Sequence, residues 1–457
     1  MAQTGQKTAA VRGAKDMTQG SPFKLIFFYS IPLLLGNLFQ QMYSMADTII
    51  VGKLLGTNAL AAVGTTGPMN FLVLGFVMGV TSGFAVVTAQ RFGAKDENGV
   101  RRSVAMNIML CIIIGLLCMV ASLGTARFIL RLINTPLEIF DDAAEYIIII
   151  YIGIPATMLY NATACILRAL GDSKSPLYFL IIASVLNIVL DIVLILNFNM
   201  GVAGAAWATV ISQAFAGVVS LVYMALRFPI LRVRRRDFAW DLWFAWQHLK
   251  IGLPMAFQFS ITAIGVIILQ GALNVFGPVK IAAYTAAQKV EQLVTAAAST
   301  FGVTMANYAG QNLGARNIAR IRDGTMKCSL LSVLFSFFAM CIVFIFPDAL
   351  TSLFVKGSQP EVIAASRTYL HICGTFFPVL FLLFIYRNVL QSIGRGFMPL
   401  MAGVAELAAR TIASYTLPGI FGYTGICIAG PLAWIAATVP LAIAYFVIIK
   451  DFKIEGA

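Results

Sequence analysis

The chain has 457 residues, 60% of them hydrophobic and only 11% charged, with a formal net charge of +13. A soluble domain is typically about 25% charged, so the composition excludes an ordinary water-soluble fold. The basic excess could serve a nucleic-acid partner if it were clustered, but it is dispersed in loops between apolar stretches.

Stretches of roughly 20 apolar residues, the length that crosses a bilayer, recur along nearly the whole chain. Twelve spans are predicted near 24–51, 59–89, 103–124, 142–168, 176–197, 204–227, 251–276, 281–309, 328–347, 362–391, 399–418 and 424–449. Residues 1–23 read as a polar N-terminal tail and 450–457 as a C-terminal one. No apolar core precedes a small-residue cleavage site, so the first span acts as its own insertion signal. Loops on the N-terminal side carry Arg91, Lys95, Arg101 and Arg102, then Arg232 and Arg234 to Arg236, then Arg316, Arg320, Arg322 and Lys327. The opposite loops hold only Lys53, Arg127, Arg131, Lys280 and Lys356. The positive-inside rule predicts a multi-pass plasma-membrane protein with both termini cytoplasmic. The charge is then topological, and no nucleic-acid partner is expected.

In chain order, the first carboxylate in a span is Asp47, in span one within MYSMADTIIVG. Span four carries Tyr146 and Asn161, span five Asn187 and Asp191, and span six Thr209. Asp47 and Asp191 have no Lys or Arg nearby in their spans. A charged carboxylate at membrane depth costs roughly 2.5–3.5 kcal/mol on the mildest scale. Each acid must therefore take up a proton or hold a cation. Counted from the predicted helix ends at about 1.5 Å per residue, Asp47, Tyr146, Asp191 and Thr209 fall about 6–9 Å below the outer face. Two carboxylates, an amide oxygen and a hydroxyl form a hard-oxygen set suited to H⁺ or Na⁺. A polar cluster that only fixes helix packing is the alternative.

Residues 228–250 join the halves. Arg232 to Arg236 open this linker, and Trp240, Trp243 and Trp246 follow at i, i+3 and i+6. The spacing predicts an amphipathic helix in the cytoplasmic interface, with a calmodulin-like target helix as the alternative. His248 is expected to be solvated there.

The later spans carry Lys289 and Glu291 in span eight and Glu406 and Arg410 in span eleven. Glu406 and Arg410, at i and i+4, can pair along one helix. Ion pairing between spans eight and eleven is one reading; Glu406 as a substrate or coupling carboxylate is the other. His371 reads as a packed residue, and Arg387 is expected to snorkel to the cytoplasmic end of span ten. The seven cysteines are scattered singly in or beside spans and read as packed thiols. No nucleotide-binding loop occurs.

The two halves repeat. Gln90, Gly93 and Ala94 recur 221 positions later as Gln311, Gly314 and Ala315. Pro155, Gly171 and Pro176 recur 223 positions later as Pro378, Gly394 and Pro399. An even number of spans per half gives both the same orientation, a parallel repeat with a cleft between two lobes. By these offsets Asp47 maps to Ile268 and Asp191 to Ser414, so the second lobe lacks the acid pair.

The run ADTIIVGKLL at Ala46 to Leu55, QRFGAKD with its echo QNLGARN, LRALGDSKSP at Leu167 to Pro176, the Asn187/Asp191 pair and GVAGAAWATVIS at Gly201 to Ser212 together resemble the multidrug and toxic compound extrusion (MATE) family. The resemblance implies an all-α membrane protein of twelve transmembrane helices. These would form two six-helix bundles, 24–227 and 251–449, related by pseudo-two-fold symmetry around a V-shaped cleft. It also implies a monomeric efflux antiporter, not an enzyme, exchanging lipophilic and often cationic compounds for H⁺ or Na⁺, with no other cofactor. The N-lobe cation site would comprise Asp47, Asn187, Asp191 and Thr209, with Tyr146 and Asn161 as neighbours. Met42, Tyr43 and Glu406 are candidates for the substrate cleft. Some family branches carry acids in spans seven and ten; GLPMAFQFSITAIG and VLFLLFIYRNVLQ here have none. The main rival is a flippase for a lipid-linked glycan precursor, which would favour a basic cavity. A major facilitator and a channel are further rivals.

Overall fold

The computed structural model describes residues 14–354 and 360–455, with side chains to residue 450. Among them every regular element is helical. The first half comprises α1 (Pro22–Leu55), the short α2 (Thr57–Thr65), α3 (Gly67–Gly93), α4 (Glu97–Leu132), α5 (Leu137–Ile152), α6 (Ile154–Ala169), α7 (Lys174–Ile192) and α8 (Gly201–Arg227). The second comprises α9 (Leu242–Leu273), α10 (Gly277–Gly314), α11 (Ile318–Ile345), the short α12 (Pro347–Ser352), α13 (Pro360–Thr375), α14 (Phe377–Ser392), α15 (Phe397–Thr416), the short α16 (Pro418–Phe421) and α17 (Tyr423–Glu455).

Helices α5 and α6 form one span bent by 47°, and α13 and α14 another bent by 50°. Each bend precedes a proline near the start of the second segment, Pro155 and Pro378. Proline cannot donate to the carbonyl four residues back, so the helix breaks there. With each bent pair counted once, each half contributes six spans.

The repeat is written into the backbone. Gly56 and Gly277, Lys95 and Arg316, Gly171 and Gly394, and Gly201 and Gly422 all have positive φ. Positive-φ residues thus recur at corresponding helix boundaries in the two halves.

The halves exchange the beginnings of their first helices. Ile26, Tyr29 and Leu33 of α1 pack into the core of the second half. Phe244, Ile251 and Met255 of α9 pack into that of the first. Gly75, Gly79 and Gly83 form a stripe on α3 that lets α9 approach closely. A Cβ on Gly79 would lie 2.5 Å from Ala256 Cα, and one on Gly83 2.4 Å from Gly252 Cα.

At the end of the bundle carrying the N-terminus, here the terminal face, the lobes lock together symmetrically. Gln90 Nε2 donates to Ser392 O at 2.7 Å, closing α14. Gln311 Nε2 donates to Ala169 O at 2.8 Å, closing α6. One addition breaks the symmetry. Residues 14–21, expected as part of the polar N-terminal tail, lie between the lobes. Met17 is fully buried. Its N–H donates to Gln311 Oε1 at 2.8 Å, and its carbonyl accepts from Asn312 and Arg320. The Lys15 N–H donates to Leu170 O at 2.9 Å on the other lobe. Residues 1–13 of the expected N-terminal tail, and 456–457 of the C-terminal one, lie outside the described residues; α17 is helical through Glu455.

The linker is not the expected amphipathic helix. It is two 3₁₀ turns, Pro229–Leu231 and Arg235–Phe238. Asp241 then caps the Phe244 N–H at 3.1 Å and starts α9, which runs unbroken into the seventh span. Trp243 and Trp246 ride exposed on its first turns. His248, expected to be solvated, is fully buried. It bonds to Ser103 at 3.0 Å and to Phe244 O at 2.9 Å, with the Phe84 and Phe244 rings edge-on around it.

Candidate functional site

Four helices of the first half converge on one polar cluster. Asp191, on the last turn of α7, is fully buried, as is Asn187 one turn before it. The Asp191 carboxyl group lies beside that of Asp47 on α1. With its amide turned to satisfy both ends, Asn187 Nδ2 donates to Asp191 Oδ2 at 3.0 Å, and its Oδ1 accepts from the Thr209 backbone N–H on α8 at 3.1 Å. In the opposite orientation the amide reaches Thr209 Oγ1 at 3.3 Å. Tyr43, one turn before Asp47, places its hydroxyl beside Thr209. Tyr146 on α5 is buried within electrostatic range of Asp47, Tyr43 and Asp191.

Asp47 Oδ1 and Asp191 Oδ1 are both buried without a hydrogen-bond partner. Among the described residues no cationic side chain pairs with either acid. Orphaned carboxylate oxygens away from water are costly. A proton shared by the two groups, or a small hard cation among the oxygens, would satisfy both.

Helices α1, α5 and α8 run past their apolar windows, so Asp47, Tyr146 and Thr209 lie farther from the helix ends than the sequence suggests, whereas Asp191 does not. Asp47 and Thr209 are each about 12 Å along the axis from the nearer end of α1 or α8, at about 1.5 Å per residue. Asn161 is not brought in. It lies on α6, beyond the bend from α5, and its Nδ2 donates to Thr157 O at 2.8 Å on its own helix.

Sequence reasoning missed one feature. Directly after Asp191 the helix widens into a π turn, Val193–Asn197. Such turns cluster at functional sites. The run VLILN gives no local signal for it; the packing does, because Gly204 at the start of α8 leaves room for it. A Cβ there would meet Ile195 N at 3.3 Å.

Of the cleft candidates, Met42 is 66% exposed and Tyr43 belongs to the acid cluster. Glu406 is buried and held from both sides. Arg387 Nη2 donates to its Oε2 at 2.8 Å, and Arg410 Nη2 to its Oε1 at 2.9 Å. Arg387 therefore does not snorkel; its counter-charge is on α15. The triad carries one net positive charge, and the pairing expected between spans eight and eleven is replaced by one between α14 and α15. Glu291 instead accepts from the Tyr369 hydroxyl. His371 stacks on Phe344 with ring centroids 4.5 Å apart. Ser414, the counterpart of Asp191, is buried with its hydroxyl unpartnered.

The MatE family model matches residues 32–193 and again 253–416, once in each half. The chain belongs to this family of membrane transporters, the multidrug and toxic compound extrusion proteins. It is similar to the probable multidrug resistance protein YpnP of Bacillus subtilis (strain 168), at 29% identity over 83% of this chain and 85% of that protein. YoeA of the same organism, also a probable multidrug resistance protein, is 30% identical over 75% of this chain and 76% of its own. The multidrug export protein MepA of Staphylococcus haemolyticus (strain JCSC1435) is 23% identical over 94% of both. In fold, the chain matches a multidrug resistance MATE family transporter of the MOP superfamily in an outward-facing conformation. The TM-score is 0.91 at 22% identity, covering 97% of this chain and all of that one.

Proposed function

We propose that this protein is a cation-driven antiporter that exports lipophilic, often cationic compounds across the plasma membrane in exchange for H⁺ or Na⁺. The observation that carries the proposal is the facing pair Asp47 and Asp191, each with a buried oxygen that has no partner. The basic terminal face is the cytoplasmic one. The lobes meet there through the Gln90 and Gln311 contacts, so the form described here is closed to the cytoplasm. From outside, a cation enters the acid pair and neutralises it. Tyr43 and Asp47 share one face of α1, so neutralisation changes what holds α1 against α7 and α8. Substrate then leaves outward, and the emptied protein turns inward and releases the cation. The electrical part of the drive is about 2.3 kcal/mol per charge per 100 mV.

Names of relatives support an export role, and the internal repeat supports rocking lobes. The flippase reading gains nothing from the acid pair, since two unneutralised carboxylates repel a pyrophosphate. The test is release of a fluorescent lipophilic cation from proteoliposomes under separately imposed Na⁺ and pH gradients. Antiport predicts flux that follows one gradient and reverses with it. Flux indifferent to both gradients would indicate a channel and reject the proposal.

A further inference from the structure

Outside the acid cluster, a groove opens on the surface of the bundle at its terminal end. Trp246, Lys250, Pro254 and Phe257 recur along one face of α9. With the turn from Gly394 to Phe397 and the start of α15 they enclose a groove of about 480 Å³. That volume is within the range of roughly 300–1,000 Å³ that binds drug-sized molecules. Two features form the groove. Pro254 has no N–H for Lys250 O, which loosens α9 there. Gly396 then comes close to α9: a Cβ on it would lie 3.2 Å from Lys250 O.

The walls are apolar and outward-looking. Trp246 is 57% exposed, Phe257 50% and Phe397 64%. Lys250 and Arg395 are the charged residues of the lining, both exposed, and no carboxylate joins them. Among the described residues neither has an ion-pair partner. An adjoining cavity of about 370 Å³ shares Lys250 and Gly394 and adds Arg91 beside Gln90 and Gly314, where the lobes cross. Arg91 is partly occupied by Asp96 at 3.6 Å.

An exposed apolar trough with unpaired cations on the terminal side of Leu253 and Phe257 is complementary to one kind of molecule. We propose that this groove binds an anionic phospholipid of the cytoplasmic leaflet, its phosphate on Lys250 and Arg395, its acyl chain along Leu253 and Phe257, and Trp246 one turn from Lys250 flanking the headgroup. The bound lipid bridges α9 to the α14–α15 turn beside the crossing of the lobes. Which leaflet supplies it rests on the orientation proposed above; the binding itself does not.

The test uses the full-length protein in nanodiscs of identical leaflets, so the outcome is independent of orientation. Trp207, Trp240, Trp243 and Trp434 are replaced by Phe, leaving Trp246 as the reporter. Brominated phosphatidylglycerol is compared with brominated phosphatidylcholine as quencher. The proposal predicts half-maximal quenching by the anionic lipid at about thirtyfold lower mole fraction, the effect expected of two surface cations at about 1 kcal/mol each. The preference should vanish in Lys250→Gln/Arg395→Gln and survive in Lys250→Arg/Arg395→Lys, which also controls for folding. It should persist in Asp47→Asn, so failure of the coupling reading leaves this result intact. Equal quenching by the two lipids, a preference that survives the double Gln variant, or its abolition by millimolar inorganic phosphate would each overturn the proposal.

Discussion

Gly93 and Gly314 meet where the two halves cross, each seated on the other lobe's glutamine. A Cβ on Gly93 would lie 1.8 Å from Gln311 O, and one on Gly314 would lie 1.8 Å from Gln90 O. No side chain fits at either position while the lobes touch. Gly93→Val or Gly314→Val should therefore push the population away from the closed terminal face. Spin labels at Asn98 and Ala319, in a cysteine-free background, should move to longer distances in either variant. Unchanged distances would mean that the crossing is not a contact the protein must break.

The two glutamines are related by the repeat but are not equally loaded. Gln90 satisfies Ser392 O alone, whereas Gln311 satisfies both Ala169 O and the Met17 N–H. A buried polar group left unpaired costs about 1–3 kcal/mol. Gln311→Ala should therefore lower the thermal midpoint about twice as far as Gln90→Ala in parallel melts. Equal shifts would indicate that residues 14–21 contribute little to closure.

Glu406 holds two guanidinium groups, so removing its charge leaves both buried without compensation. Breaking a buried pair in this way costs about 3–5 kcal/mol. Glu406→Gln should lower expression and thermal stability severely, and Glu406→Asp far less. Any Glu406→Gln protein that folds should keep the wild-type choice of driving ion. A stable Glu406→Gln variant with altered ion dependence would instead make Glu406 part of the coupling site.

Much of this architecture is legible in the sequence because breakers carry it. Pro155 with Pro378 and Gly171 with Gly394 mark the same bends and left-handed turns in both halves, and each acts locally on its own backbone. The acids are legible because a carboxylate without a basic neighbour is anomalous in an apolar span. What the sequence hides depends on distant partners. The burial of His248 follows from Ser103 and Phe84, and the burial of Arg387 from Glu406. The place of residues 14–21 is set by Gln311 and Asn312, nearly 300 residues away. The linker misleads because its Trp spacing is helical; the helix is real from Leu242, but it is the start of span seven. The π turn after Asp191 has no residue signature and emerges only from packing against Gly204.

On the proposed mechanism, Asp47 and Asp191 form one coupling site. Its most direct test is gradient-driven efflux in proteoliposomes by Asp47→Asn and Asp191→Asn, set beside substrate binding by the same purified variants. Both variants should fold and bind the transported compound, and neither should accelerate its release when the driving gradient is imposed. Gradient-driven efflux at the wild-type rate by either variant would contradict it.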